Sequence, residues 1–391
     1  MKLIERKNCT GCMACLQACS QNCISIEYDS FGSSFPAINN DKCIDCGACQ
    51  RACPVLCTEK LPFHNGQHAY AVWSLDQQSR KSSASGGAAS ELYYHALKND
   101  YWICGAIYDK RFQVYHIITQ EKNDIMKFKQ SKYVFSDTSM IYSQIRTKLD
   151  NGEKVLFISL PCKVAGLLSF LNKRYDNLIT VDIVCHGTPP YKHLFEHISN
   201  CDKTQSASYL KFRDDNSFSF VLLSSSNKTL YSRIGRTDSY LGAFLEGLNY
   251  RENCYSCPYA KPERVSDITI GDFWGLGDEI PFEHPYTGSI SLVMTNTEQG
   301  HSFFEACSSS MFVEERTVSE AVKGNCNLNR PSTPHKERDR FIKMYETRGF
   351  EFAANTILSN VIRKEKQQVK KEQLRQGLRK AAGVIIKRYR S

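Results

Sequence analysis

No stretch of this 391-residue chain approaches the roughly 18 consecutive apolar residues of a membrane span. The opening M-K-L-I-E-R-K-N has no apolar core of a secretory signal either. Charge of one sign is also missing from most of the chain. The net charge is +9, yet the segment from Arg363 onward holds 11 Lys/Arg against two acidic residues, which leaves 39 of each sign in the rest. The body therefore has no basic field to steer nucleic acid, and no nucleic-acid partner is expected. Neither G-x-G-x-x-G nor a P-loop occurs. At this length two or three domains are expected.

What the chain has in excess is cysteine: 18 residues, ten of them in the first 57. They form two similar blocks, C-T-G-C-M-A-C-L-Q-A-C from Cys9 and C-I-D-C-G-A-C-Q-R-A-C from Cys43, each followed four residues later by one more cysteine. The spacing C-x2-C-x2-C-x3-C is that of bacterial two-cluster ferredoxins, in which the fourth cysteine of each run ligates the other run's cluster. It assigns Cys9, Cys12, Cys15 and Cys53 to one 4Fe-4S cluster, and Cys43, Cys46, Cys49 and Cys19 to a second. Zinc sites take two close cysteines and then a distant pair, not three and then one. Ser20 stands where a proline usually follows the fourth cysteine, whereas Pro54 keeps it. Cys23 and Cys57 are surplus and read as small core residues. Thiolate ligands need a reducing compartment, so the expected location is the cytoplasm.

A short strand is expected at Cys23–Tyr28, as after each cysteine run of such modules. Strand patterns follow at Ala69–Leu75, Trp102–Tyr108 and Val114–Thr119. Between the first two lies R-K-S-S-A-S-G-G-A-A-S and a helix pattern. A Ser/Gly loop opening a helix offers backbone N–H groups to an anion, and a plain helix cap explains it equally well. Lys132, in Q-S-K-Y, suits a phosphate or a surface position. The chain then turns α/β. Val155–Leu160 is a strand running into Pro161-Cys162 and a helix; Leu178–Val184 is another, running into Cys185-His186-Gly187 and a helix after Pro190. Both cysteines fall at the strand ends where doubly wound sheets bind ligands, and a helix N-terminus favours thiolate. Antiparallel strands are expected over 207–234. Cys254 and Cys257 make a single C-x2-C, which fits half a zinc site, a redox dithiol or two cluster ligands. With Cys162 and Cys185 they make four cysteines, enough for a third cluster. After Gly324 the chain becomes polar, and 335–391 reads as a helical tail. Leu374, Leu378, Ala381 and Ile385 recur there at helical spacing against a basic face, which suits an acidic partner or an anionic membrane surface, or a merely solvated helix.

The motifs S-G-G, S-K-Y, L-P-C-K-V-A-G-L, C-H-G-T-P, F-R-D and C-x2-C-x-Y-A followed by R-x-S-D-I-T-I-G-D-F-W-G occur in that order between Ala69 and Val322. This stretch resembles the coenzyme F420 hydrogenase/dehydrogenase beta-subunit family. The resemblance implies a third 4Fe-4S cluster on Cys162, Cys185, Cys254 and Cys257 beside a flavin, FAD or FMN. It implies flavin contacts from Ser85, Gly86, Gly87, Lys132, Tyr133 and Asp272. His186 is the implied proton donor, since histidine titrates near neutrality. The expected architecture is α+β and α/β multidomain. A two-cluster ferredoxin module (1–60) precedes a mixed α/β flavin-binding part (68–150), a part with the third cluster (151–325) and the basic tail (335–391). The function so implied is an oxidoreductase passing single electrons through three clusters to a flavin that exchanges a pair with a small organic molecule. A redox partner protein such as ferredoxin feeds it. The alternative is an electron-transfer subunit with no substrate of its own. Acceptors in the family include F420 and chlorophyll precursors, so use of F420 does not follow.

Overall fold

Alternation along K-V-L-F-I-S, residues 154–159, decides the centre of the fold. Val155 and Phe157 enter one apolar cluster while Leu156 and Ile158 enter another, as the period of two requires of a strand buried on both faces. In a computed structural model that describes residues 1–214 and 217–388, and for 373 and 376–388 the backbone alone, this strand is one of fourteen. In chain order they are β1 (Ile24–Tyr28), β2 (Ser34–Ile38), β3 (His68–Ser74), β4 (Tyr101–Tyr108), β5 (Val114–Thr119), β6 (Ser136–Asp137) and β7 (Lys154–Ser159). Then come β8 (Leu178–Ile183), β9 (Ala207–Asp214), β10 (Ser217–Ser224), β11 (Thr229–Ile234), β12 (Ile268–Asp272), β13 (Ser291–Thr295) and β14 (Met311–Arg316).

Two compact units form: Met1–Phe195 with Tyr250–Pro334, and Glu196–Asn249 with His335–Ser391. The first is built on a nine-stranded mixed sheet of order β14-β3-β13-β12-β8-β7-β4-β5-β6. Its middle pairs, β12 with β8, β8 with β7 and β7 with β4, are parallel. Helix Pro161–Leu171 makes the crossover from β7 to β8, as a parallel pair demands. One apolar cluster holds Phe157, Tyr142, Val164 and Leu167 together with Cys12, Ala14 and Ala52 of the cysteine-rich segment. The ferredoxin-like module thus shares a core with the sheet. The unit boundaries consequently differ from 60, 150 and 325, and the antiparallel strands over 207–234 go with the C-terminal helices.

The strand expected at Cys23–Tyr28 forms as β1, and among the described residues the second cysteine run has no such strand after it. β1 pairs with β2, which lies between the runs, and the second run leads into a single turn, Thr58–Lys60. Pro54 has no N–H for a ladder. The Thr58 hydroxyl donates to the carbonyls of Pro54 and Val55 at 3.0 and 2.9 Å, which turns the chain instead.

The second unit packs the sheet β11-β10-β9 with helices Ser239–Leu245, Arg338–Ile357 and Ser359–Arg388. Leu374 is exposed; the side chains of Leu378, Ala381 and Ile385 lie outside the described residues. Its core is aromatic, with Phe212, Phe220, Tyr240, Phe341 and Phe350 fully buried. Among them sits His197, 3.0 Å from Asp238 through Nε2 and bonded to Glu351 through Nδ1. Burial alone would drive the imidazole pKa down. The charge of Asp238 and hydrogen bonds to Asp238, Cys201 and Glu351 outweigh it and hold the group well above its ordinary value.

His197 therefore stays charged at neutral pH, and its contribution to stability is complete below about pH 6.5 and lost as pH rises through the raised value. His197→Gln leaves two carboxylates facing each other. It should cost on the order of 3–5 kcal/mol in denaturant unfolding near neutrality, with the gap to the native protein closing on the alkaline side.

Candidate metal centres

Each cysteine run folds the same way locally. A residue in the left-handed region, Met13 or Gly47, reverses the chain into a one-turn helix, Ala14–Gln17 or Ala48–Arg51. The third cysteine, Cys15 or Cys49, rides on that turn and the fourth, Cys19 or Cys53, follows it. The result crosses the runs: Cys9, Cys12, Cys15 and Cys53 line one cavity with Ile4, Pro36 and Leu56. Burial pushes the Cys9 and Cys15 thiols up, and the neighbouring thiols of the set add to it. Cys53 is pushed up to about 11 for the same two reasons. Cys19, Cys43 and Cys49 meet in a second patch with buried Cys23 and Ile24, where the Cys19 and Cys23 sulfurs are 3.4 Å apart. Cys46 is exposed. Next to it Ile44 is 63% exposed, so this patch forms the outer end of the module.

The other four cysteines come from the ends of neighbouring strands. Cys162 is the second residue of the helix that follows β7, and Cys185 stands two residues beyond β8. Cys254 and Cys257 lie on the turn Glu252–Ser256 and just after it. From there the chain runs into β12, which pairs with β8 and so returns the C-x2-C to the same strand ends. All four line one cavity, together with Thr10, Phe135, Lys163, His186, Arg264 and Ser332. Burial raises Cys162 to about 12, with Cys257 and Cys254 adding, and raises Cys257 to about 11, with Cys254 adding. Cys185 is raised well above its ordinary value, by burial and then by Cys254, Cys162 and Cys257. Four half-buried thiols on one cavity, three of them kept from ionising by desolvation and by their neighbours in the set, are a donor set completed by a cationic core, and in this they fit a 4Fe-4S group. A cubane takes one thiolate at each corner, so its ligands stand farther apart than those of one ion; among the described residues no three His, Cys, Asp or Glu close around a single ion.

The long motif after Cys257 serves this geometry from behind. Arg264 and Asp182 form a buried ion pair at 2.8 Å, each 1% exposed or less. The guanidinium also donates to the carbonyls of Tyr259 and Lys261 at 2.8 and 3.2 Å, which fixes the loop leaving the C-x2-C. Asp267 accepts from the Thr180 N–H and hydroxyl at 2.8 and 2.7 Å, tying the start of β12 to β8. Neither arginine nor aspartate was legible as a site residue in the sequence; a charged pair in a strand motif gives no hint of its partner.

The residues implied for a flavin gather elsewhere, around 290–291. Ser85 donates to the Ile290 carbonyl at 3.1 Å. Asp272 pairs with Ser291 across β12 and β13. A Cβ on Gly86 would stand 2.3 Å from the Val72 carbonyl and 2.7 Å from the Ser291 nitrogen, so close packing on two strands already requires glycine there. Gly87 caps helix Ala88–Lys98 at φ +98°. Lys132 differs from its expected role: its ammonium spends its donors on the carbonyls of Phe128, Lys129 and Gln130 at 3.2, 3.1 and 3.4 Å. Burial lowers it to about 7. The lysine that reaches the serine loop is Lys129, which donates to Ser79 and Ser82 at 3.1 and 2.8 Å. His186 is exposed at the rim of the four-cysteine cavity, and its carbonyl accepts from Ser332. Tyr133 follows Lys132 on the segment leading to Phe135; Phe135 lines that cavity, and Lys132 and Tyr133 do not.

Comparison with known proteins agrees with the two-part reading. Residues 152–321 match the model for the C-terminal region of the coenzyme F420 hydrogenase/dehydrogenase beta subunit. Residues 8–57 match the 4Fe-4S dicluster domain. Ferredoxin-1 of Caulobacter vibrioides is 40% identical over 57 residues, 14% of this chain and 46% of that protein. The chain thus spans less than half the length of this curated relative. A chain of the F420-reducing NiFe hydrogenase complex from Methanosarcina barkeri shares 16% identity, with a TM-score of 0.45 over 76% of this chain and 92% of that one. The dicluster match and the ferredoxin relative give the N-terminal module two 4Fe-4S clusters.

Arg264→Ala leaves Asp182 charged and unpaired in the core. It should lower the free energy of unfolding by roughly 3–5 kcal/mol, read from the denaturant midpoint, while Arg264→Ala combined with Asp182→Leu should recover most of that loss.

Proposed function

From the premise that this chain is a coenzyme F420 hydrogenase/dehydrogenase beta-subunit family protein with a fused two-cluster 4Fe-4S ferredoxin domain, we propose that it is a flavin-dependent oxidoreductase. In this reading it takes single electrons from a redox partner protein at its N-terminal module. It delivers them as a pair to a small organic acceptor. The bound groups supply the redox chemistry: iron–sulfur clusters carry one electron at a time, and a flavin converts singles to a pair.

The chain's own residues do the rest. Cys43, Cys46, Cys49 and Cys19 hold the site nearest the surface, beside exposed Ile44. A partner can approach there. Cys9, Cys12, Cys15 and Cys53 hold the inner site, against the sheet. Cys162, Cys185, Cys254 and Cys257 hold a third site at the strand ends. The observation that carries this reading is the shared cavity of those four cysteines, which come from three separate stretches of chain. His186, at the rim of that cavity, is assigned to hold the proton for the acceptor. Ser85, Gly86, Gly87 and Asp272, gathered about Ile290 and Ser291, are assigned to orient the flavin, with Tyr133 contributing from the neighbouring segment. The basic stretch from Arg363 is assigned to contact an acidic partner or an anionic membrane surface. Among the described residues no helix is long and apolar enough to cross a membrane.

Protein purified without oxygen should contain about twelve iron atoms per chain, four for each of the three cysteine sets, and one flavin. Cys254→Ser with Cys257→Ser should remove about four of those irons and leave about eight. Zinc in place of the missing iron, or flavin-free protein that still turns over an acceptor, contradicts the reading.

A further inference from the structure

Two cationic side chains are buried between the inner N-terminal cysteine set and the strand-end set. Arg251 is 1% exposed and Lys163 is fully buried. Arg251 reaches into the module, where Nη2 donates to the carbonyls of Ser34 at 3.0 Å and Cys9 at 3.4 Å. Its Nε and Nη1 have no hydrogen-bond partner among the described residues. Lys163 donates to the Gly11 carbonyl at 2.6 Å. Both cations lie over the Phe135 ring, at 4.7 and 4.1 Å from its centre. Neither is paired with a carboxylate among the described residues.

Burying a cation without a counter-charge is strongly unfavourable, and a guanidinium cannot escape by losing its proton. Something anionic must compensate it. The groups that Arg251 feels are the thiols of Cys9, Cys254 and Cys162, and Asp29; those that Lys163 feels include Cys162 and Cys12. Each cation thus faces members of both cysteine sets. Thiolate-held clusters are net negative and become more so by one unit on reduction, and local charge is one of the terms that fix their potentials. The hydrogen bonds of both cations go to the carbonyls of Cys9, Gly11 and Ser34, and none of these residues belongs to the run from Cys43 to Cys53.

Resting on the three-site reading above, we propose that Arg251, with Lys163 beside it, is a positioning charge. It stabilises an added electron on the Cys9, Cys12, Cys15 and Cys53 set, and on the strand-end set, relative to the outer set. Electrons accepted at the exposed end are thereby drawn inward. The step is the addition of one electron from a reduced one-electron carrier, with no bond made or broken in the protein. Arg251 acts through its fixed charge and touches the acceptor nowhere.

The test is a redox titration of the anaerobic full-length holoprotein followed by electron paramagnetic resonance, with dithionite as reductant. Arg251→Gln should lower the potential of one N-terminal site by a tenfold change in its electron affinity or more, about 59 mV for a one-electron couple. The other N-terminal site should be unmoved. Arg251→Lys, which keeps the charge, should hold the native value. Equal behaviour of the two variants, joint movement of both N-terminal sites, or no movement overturns the proposal. If Arg251→Gln does not retain iron, Arg251→Lys decides: native iron and potential support a charge role, and loss of iron there too means packing alone and overturns it. Iron content separates the two claims. About eight irons per chain in the native protein refutes the third site, whereas three loaded sites with unmoved potentials refute only the role of Arg251.

Discussion

Burial of Arg251 and Lys163 is the constraint on which the rest of the molecule turns. Each spends its hydrogen bonds on carbonyls of the cysteine-rich segment, at Cys9, Ser34 and Gly11. A third donor, the Thr138 hydroxyl, takes the Cys12 carbonyl at 2.8 Å. The backbone of the first cysteine run is thus held by the body's side chains and is not a free-standing module. A Cβ on Gly166 would stand 2.7 Å from the Cys12 Cβ, so the helix after β7 needs glycine where the run rests on it. The first run packs closely on the very helix that carries Cys162. This closeness makes two cysteine sets neighbours, and it gives the inner cation pair two sets to serve.

The parallel strands set the second level of organisation. β7 and β8 end side by side, and their following residues place Cys162 and Cys185 at one edge. β12 joins β8 on its far side and anchors the C-x2-C through Arg264 and Asp267. The conspicuous residues of the R-x-S-D-I-T-I-G-D stretch therefore act largely as stitching. A strand motif that looks like a site can be the frame that keeps a site's distant members together.

Much of this was legible in the chain. The crossed cysteine runs carry their own spacing, and the strands at 114–119, 155–160 and 178–184 announce themselves by apolar runs of the right length. What was not legible depends on tertiary partners. Nothing in L-P-C-K says that Lys163 is buried under the first cysteine run, since lysines are ordinarily solvated. The loop S-G-G read equally as an anion cradle or a helix cap; Gly87 caps the helix, and the approach of Gly86 to β3 and β13 is reason enough for its glycine. Lys132 and Lys129 are three residues apart, and only the turn of the chain decides which one reaches the serines. That module and sheet share a core escaped the sequence for the same reason: Cys12, Ala14 and Ala52 look like residues of the module alone but pack in the core of the sheet.

The most direct test of the account is X-ray diffraction from anaerobically grown crystals at wavelengths on either side of the iron absorption edge. The account predicts three compact iron peaks. One is enclosed by Cys162, Cys185, Cys254 and Cys257. The peak at Cys9, Cys12, Cys15 and Cys53 lies between that one and the peak at Cys43, Cys46, Cys49 and Cys19. Two peaks confined to the first 57 residues, with no iron signal at the strand ends, would contradict it.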